Sequence, residues 1–215
     1  MTILNLTVGY KKSNFRVLID NFNLCRGKIL GILGTNGTGK STFYKTLIGE
    51  IEPLAGSIPE VIKENIAIVS DQINLPNDCK VKTIMNLINR DSLNAVRQSY
   101  PSIYSIIESQ LYKRVDSLSS GQRRVLQIFL MLASNKSIII MDEACAYLDL
   151  KNKQLVFDAI KCVAEKGGTI LYTSHEMDDF ASFDSEVYIF NNGILSAFIG
   201  EISPESLKKE LISFP

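Results

Sequence analysis

A stretch near the N-terminus, GTNGTGKST at residues 34–42, has the residue types and spacing that phosphate binding requires. It fits the pattern G-x-x-x-x-G-K-[ST], with Gly34, Gly39, Lys40 and Ser41 in the fixed positions. Glycines let backbone amides point at phosphate oxygens, and the start of a following helix adds partial positive charge. Lys40 can reach the terminal phosphates, while the Ser41 hydroxyl is placed to ligate Mg²⁺. The loop therefore predicts a phosphate site with a bound metal ion.

The segments on either side of this loop help to decide between a phosphate site and a simple turn. KILGIL before it predicts a short apolar strand, and TFYKTLIG after it is apolar at helical spacing and ends at Gly49. The alternative is a glycine-rich turn capped by a serine. A glycine loop between a strand and a helix is the context that makes the pattern a phosphate site, so we favour the phosphate site.

Further polar residues follow predicted strands. Asp142 and Glu143 come directly after the apolar run IIIM, and the carboxyl edge of an α/β sheet is where such folds bind ligands. Neighbouring strand residues point to opposite faces, so the two carboxylates should have different roles. His175, the only histidine, follows the strand TILYTS. Tyr10 ends the first strand, and its spacing leaves open whether it belongs to the core or stacks on a nucleobase.

The segment SLSSGQRRVLQIFLMLAS predicts a strongly apolar helix with a capping box, because Gln122 follows Ser119 by three residues. The capping box explains both residues without a ligand. It does not explain Gly121, since glycine in a first turn lowers helix stability. Close approach of the backbone to an anion is one reason for a glycine at a helix start.

The composition is that of an ordinary globular protein, with 46% hydrophobic and 21% charged residues among 215. Lys+Arg and Asp+Glu both number 23, so no net field would attract nucleic acid or an anionic membrane. Apolar runs such as VLQIFLMLA are too short to span a bilayer, and the N-terminus lacks the pattern of a signal peptide. The four cysteines show no metal-binding spacing. We therefore expect free thiols and a cytoplasmic protein.

The rest of the chain predicts alternating strands and helices. ILNLTV, FRVLID and VIKENIAIVS have the character of strands, the last as a pair, whereas residues 75–118 are apolar at helical spacing with Pro101 opening a helix. Asp149 can cap the helix after the two carboxylates. VYIFNNGILSAFI predicts a hairpin with an Asn-Gly turn, and Ser203 with Pro204 opens a last short helix.

These motifs and their order resemble the ATP-binding cassette (ABC) ATPases, the nucleotide-binding subunits of ABC transporters, over nearly the whole chain. Gly34–Thr42 resemble the Walker A motif, and IIIMDE resembles the Walker B motif. Leu118–Gln122 (LSSGQ) resemble the signature motif, and Ala146–Asp149 resemble the D-loop. Gln72 resembles the Q-loop glutamine, His175 the switch histidine and Tyr10 the adenine-stacking aromatic. Two departures stand out. Ser120 replaces the commoner glycine of the signature, and EACAYLD lacks the proline and threonine that many relatives carry after the glutamate.

The resemblance implies an α/β fold of the P-loop NTPase type, with a mainly parallel core sheet, an N-terminal antiparallel β subdomain and a helical insertion. It implies one domain over residues 1–215, with a helical subdomain at approximately 75–118. It also implies a head-to-tail dimer that encloses ATP and Mg²⁺ between the Walker A motif of one subunit and the signature of the other.

The resemblance assigns the site residues as follows. ATP would contact Tyr10, Gly34, Asn36, Gly37, Thr38, Gly39, Lys40, Ser41, Thr42, Gln72, Ser119, Ser120, Gly121 and Gln122. Mg²⁺ would be held by Ser41, Gln72 and Asp142, the latter two partly through water. Glu143 would polarise the attacking water, and His175 would contact the γ-phosphate.

The function that follows is an ATPase subunit that drives a separate transmembrane permease, as a homodimer or a pseudo-dimer with another cassette. We expect it in the cytoplasm, peripheral to the inner or plasma membrane, without a nucleic-acid partner. Export is favoured over import, because the segment after Gln72 resembles that of small exporter cassettes and no regulatory domain follows the last helix. The alternative is a nucleotide-gated regulatory or assembly protein that is not coupled to transport.

Overall fold

The computed structural model describes residues 1–12, 14–183 and 185–212, so the last three residues of the predicted domain lie outside the described residues. In the described part, the strands form one eight-stranded sheet in the order β1-β2-β8-β7-β3-β6-β5-β4. Their bounds are β1 Thr2–Gly9, β2 Arg16–Asn23, β3 Ile29–Leu33, β4 Ile66–Val69, β5 Ile138–Asp142, β6 Thr169–Thr173, β7 Ser185–Asn191 and β8 Ile194–Ala197.

The sheet is mixed, which confirms the predicted fold class. Strands β4, β5, β6, β3 and β7 run parallel to one another, and β2 pairs in parallel with β8, while the β1–β2 and β7–β8 pairs are antiparallel. Every residue of β3 and β6 is buried, as expected for parallel strands that are covered on both faces. The predicted Asn-Gly turn joins β7 to β8, with both Asn192 and Gly193 at positive φ.

The helices cover both faces of this sheet. Their bounds are α1 Lys40–Leu47, α2 Glu60–Lys63, α3 Val81–Met85, α4 Arg90–Ser99, α5 Pro101–Glu108, α6 Ser120–Ala133, α7 Leu150–Glu165, α8 Met177–Ala181 and α9 Pro204–Ile212, with a 3₁₀ turn at Val115–Ser117. Helix α5 begins at Pro101 as predicted, and α4 and α5 pack against α6. The Asp149 side chain caps α7 by accepting a hydrogen bond from the Asn152 amide, at 2.8 Å.

The prediction of two strands in VIKENIAIVS was wrong for its first half. Residues Glu60–Lys63 form the short helix α2, and only Ile66–Val69 form a strand. Pro59 stands directly before this helix, where its fixed φ and missing amide hydrogen are compatible with a helix start. The completely buried Ile62 anchors α2 in the core, so tertiary packing overrides the β-preference of the isoleucine.

Strand β5 divides its side chains between two hydrophobic clusters. Ile138 and Ile140 belong to the cluster that contains the rings of helix α1, Phe43 and Tyr44, whereas Ile139 belongs to the other cluster. Because strand side chains alternate, Asp142 continues the face of Ile138 and Ile140. The carboxylate therefore emerges on the side of the sheet where α1 and the glycine loop lie.

Candidate functional site

The glycine loop joins β3 to α1, and its backbone leaves no room for side chains at two positions. A Cβ at Gly34 would lie 2.6 Å from Thr38 Oγ1, and one at Gly39 would lie 2.6 Å from a methyl group of Val17. Gly39 also has a φ of 109°, a region that residues with a side chain rarely adopt. These positions need glycine for the loop conformation itself, before any ligand is considered.

Lys40 turns its side chain back into this loop. Its Nζ donates to the carbonyl oxygens of Gly34, at 2.5 Å, and Thr35, at 3.1 Å. Burial lowers the pKa of Lys40, while the nearby charges of Glu143 and Asp142 oppose that shift. The ammonium is thus held in a partly desolvated position by neutral acceptors. An anionic phosphate would form stronger, charge-assisted hydrogen bonds there.

A cavity of about 370 Å³ lies between the loop and the end of β5, within the usual size range of ligand sites. It is lined by Tyr10, Phe15, Asn36, Gly37, Gly39, Lys40, Ser41, Thr42, Asp142 and Glu143. The structure thus brings together residues that the sequence separates by about a hundred positions. Tyr10 remains 46% exposed at the cavity, as a stacking surface would. Phe15, which also lines the cavity, approaches Gly39.

Thr173, at the end of β6, connects the two carboxylate positions, although no sequence motif marks it. Its hydroxyl donates to Asp142 Oδ1, at 2.9 Å, and accepts from the Glu143 amide, at 2.9 Å. The signal for this residue is its register, since Thr173 pairs with Asp142 in the parallel β5–β6 ladder. Two adjacent strand ends therefore share one hydrogen-bonded network.

The Asp142 carboxyl is suited to a cation. Burial raises its pKa, the hydrogen bond from Thr173 lowers it, and the charge of Glu143 adds to a net rise. A divalent ion would relieve this unfavourable burial, and Ser41 offers a second oxygen ligand from the same cavity. Among the described residues no three His, Cys, Asp or Glu side chains form a metal-binding group. Mg²⁺ fits such a site, because it is commonly bound by one or two protein oxygens together with substrate phosphates.

Glu143 departs from β-strand backbone geometry, and its side chain contacts His175. Its φ of 50° is unusual for a residue with a side chain, and such strained residues cluster at functional sites. His175 Nε2 lies 2.8 Å from Glu143 Oε1. The imidazole is 59% exposed, and Glu143 is 32% exposed. Glu143 lines the cavity, whereas His175 does not and reaches the site through its contact with this carboxylate.

The predicted signature residues lie apart from this cavity. The Ser119–Gln122 capping box is present in both directions, with nitrogen–oxygen distances of 3.2 and 3.1 Å. Ser120 lines a different cavity, of about 310 Å³, together with Tyr147. A Cβ at Gly121 would lie 3.0 Å from the Tyr147 carbonyl oxygen, a local reason for glycine that the sequence did not reveal. Gln72 is exposed and does not line the loop cavity.

None of the helices that the structure describes is both long and apolar enough to cross a membrane.

Comparison with known proteins identifies the family of this chain. Residues 19–146 match the family model described as ABC transporter. The Nod factor export ATP-binding protein I of Rhizobium sp. (strain N33) is 28% identical, covering 95% of this chain and 72% of that protein. The galactose/methyl galactoside import ATP-binding protein MglA of Treponema pallidum is 27% identical over 96% of this chain, which spans 46% of that longer relative. A solved inward-facing structure, described as a metal-chelate type ABC transporter, superposes with a TM-score of 0.78 at 26% identity, covering 99% of this chain and 86% of that one.

Proposed function

Because the chain belongs to the ABC transporter family and carries its ATPase domain, we propose that it works as one half of an ATP-dependent dimer that drives a transmembrane permease on a separate chain. The observation that carries the proposal is the cavity that joins Lys40 and Ser41 of the loop to Asp142 and Glu143 of the adjacent strand. These four residues supply a cation, a hydroxyl and two carboxylates around one space.

Each of these side chains has a distinct role in the proposed hydrolysis. Lys40 exchanges the Gly34 and Thr35 carbonyls for β- and γ-phosphate oxygens. Ser41, Asp142 and Gln72 would hold Mg²⁺, the latter two partly through water. The ion, when bound, neutralises charge on the phosphates during transfer.

Glu143 orients the attacking water and receives its proton. Because Oε1 already faces His175 Nε2 at 2.8 Å, we assign Oε2 to the water. His175 thereby fixes the carboxylate and also contacts the γ-phosphate. Positioning and charge stabilisation of this kind are what phosphoryl transfer mainly requires.

The second half of the site comes from another cassette in this proposal. The helix start at Ser119–Gln122 presents amides and a dipole suited to an anion, yet its residues do not line the loop cavity of their own chain. A head-to-tail dimer places this helix start against the γ-phosphate held by the partner's loop. Both a homodimer and a pairing with a different cassette satisfy this geometry.

We propose export as the direction, supported by the resemblance of the segment after Gln72 to small exporter cassettes. The relatives are named as importers and as exporters, so direction needs its own measurement. Copurification of a membrane protein with the untagged native complex, followed by transport assays in sealed vesicles, would identify the partner and the direction. Recovery of the native protein without any membrane subunit would favour a regulatory or assembly role instead.

The assignment of the loop is tested with Lys40→Ala. Mg·ATP at 100 times its Kd should stabilise the wild-type chain by about 2.7 kcal/mol through mass action, and this thermal shift should vanish in the variant. Lys45→Ala is the matched control, because Lys45 lies on the same helix but does not line the cavity. An undiminished ATP-induced shift in Lys40→Ala would refute the assignment.

A further inference from the structure

A buried charge pair lies directly behind the loop that carries His175. Asp179, on α8, is only 3% exposed. Its Oδ1 meets Lys153 Nζ at 2.6 Å, and its Oδ2 accepts hydrogen bonds from the Tyr172 hydroxyl, at 2.7 Å, and the Ser174 hydroxyl, at 2.6 Å. The carboxylate therefore joins α7, β6 and the loop after β6 at one point.

The same network holds the residue on the other side of the histidine. Lys153 Nζ also pairs with Glu176 Oε2, at 2.7 Å, and the Glu176 amide donates to Ser174 Oγ, at 3.0 Å. Residues 174 and 176 are thus both tied to one lysine–aspartate pair, directly or through one hydrogen bond. The backbone of His175 has little freedom between these two fixed neighbours.

Lys153 is charged in this position. Burial would lower the pKa of Lys153, but its hydrogen bonds with Asp179 and Glu176, together with their charges, raise it overall. A buried ion pair is weak evidence for stability, since well-packed apolar residues often serve as well or better. This pair is better explained by the backbone geometry that it imposes on the loop carrying His175.

His175 needs such support, because its own surroundings do little to hold it. The side chain is 59% exposed, so packing restrains it weakly, and yet Nε2 lies 2.8 Å from Glu143 Oε1. We infer that Lys153 and Asp179 are positioning residues that fix the 174–176 backbone so that His175 meets Glu143. The inference rests on the proposed function only for its kinetic consequence, not for the contact itself.

The contact can be measured directly, because His175 is the only histidine of the chain. In a protein without a polyhistidine tag, nuclear Overhauser effects between the imidazole and Glu143 side-chain protons report the pair without any ATPase assay. We expect Lys153→Met to abolish these effects. The matched control is Lys161→Met on the same helix, which removes an ammonium lying over the Phe183 ring, as the Lys153 ammonium lies over the Phe157 ring. The control substitution should leave these Overhauser effects intact.

Kinetics then test the consequence. Lys153→Met should lower kcat roughly tenfold, within the range of coupling found inside one network, with the Kd for ATP within about twofold. In a His175→Ala background, the same substitution should lower kcat no further. The double variant Lys153→Met/Asp179→Asn removes both charges, so it avoids leaving one buried charge unpaired and keeps the test possible if the single variant does not fold.

Three results would contradict either the positioning inference or the proposed function. Persistent imidazole–Glu143 contacts in the folded variants would overturn the inference. An equal loss of kcat from Lys153→Met with and without His175 would also overturn it, since the pair would then act through general stability. A wild-type kcat in His175→Ala would instead refute the role of His175 in the proposed function, while lost contacts in Lys153→Met would still support positioning.

Discussion

Replacement of Glu143 by glutamine separates binding from chemistry at this site. The substitution keeps the size of the side chain and an oxygen that can accept from His175 Nε2, which lies 2.8 Å from Oε1 in the structure. It also keeps the backbone, whose φ of 50° the glutamine must adopt as the glutamate does. The change is therefore confined to the negative charge and to the capacity to take a proton.

The expected magnitude follows from that loss. A general base contributes about 10²–10⁴-fold, which corresponds to about 2.7–5.4 kcal/mol of activation free energy. ATP affinity should be unchanged or higher, because an anion is removed beside the phosphates. The charge of Glu143 also helps to keep Lys40 protonated, so any gain should be small. ATP should then accumulate unhydrolysed between two subunits.

The assay compares kcat with the Kd for ATP and measures dimerisation by gel filtration with Mg·ATP. Glu186→Gln makes the same chemical change at an exposed position of β7 and should behave as wild type. Asp142→Asn should differ from Glu143→Gln, losing the Mg²⁺-dependent gain in affinity as well as turnover. Hydrolysis by Glu143→Gln at the wild-type rate would refute the catalytic role, even though the fold stands.

Two further predictions concern the nucleobase and the partner subunit. If Tyr10 stacks on adenine, Tyr10→Ala should weaken ATP binding by roughly 1–3 kcal/mol, and Tyr10→Phe should restore most of that affinity. Equal Kd values for ATP in the wild type and both variants, measured by fluorescence titration, would transfer the stacking role to Phe15. Gly121→Val should spare ATP binding by the monomer but abolish hydrolysis, because its Cβ would approach the Tyr147 carbonyl oxygen and, in the proposed dimer, its side chain would face the γ-phosphate held by the partner. A mixed dimer of Gly121→Val and Lys40→Ala subunits should retain one working site, and inactive mixtures at every ratio would contradict a shared site.

The sequence alone predicted the features that depend on local geometry. The glycine loop, the Ser119–Gln122 capping box, the Asn192–Gly193 turn and the alternation of strands and helices all follow from residue types at fixed spacing. Such patterns are encoded within a few residues, because φ preferences, caps and side-chain periodicity act over one or two turns. The family resemblance extended these patterns to the sheet architecture.

Local patterns misjudged one segment where packing decides and missed a contact made by a predicted site residue. The segment EVIK contains valine and isoleucine, yet it forms α2 because Pro59 precedes it and Ile62 is buried in the core. For Gly121 the sequence predicts anion binding, and the approach of its backbone to the Tyr147 carbonyl is an additional reason for glycine that depends on another loop. Sequence spacing contains no information about either contact.

Only the tertiary structure placed the side chains of the site with respect to one another. Thr173 joins Asp142 because β5 and β6 are neighbours in register, and His175 meets Glu143 because the loops after these two strands leave the same edge of the sheet. The Lys153–Asp179 pair behind that loop comes from two different helices and shows no motif. The physical reason is that strand order and helix docking are set by the burial of whole faces, so contacts between strand ends are settled only when the sheet assembles.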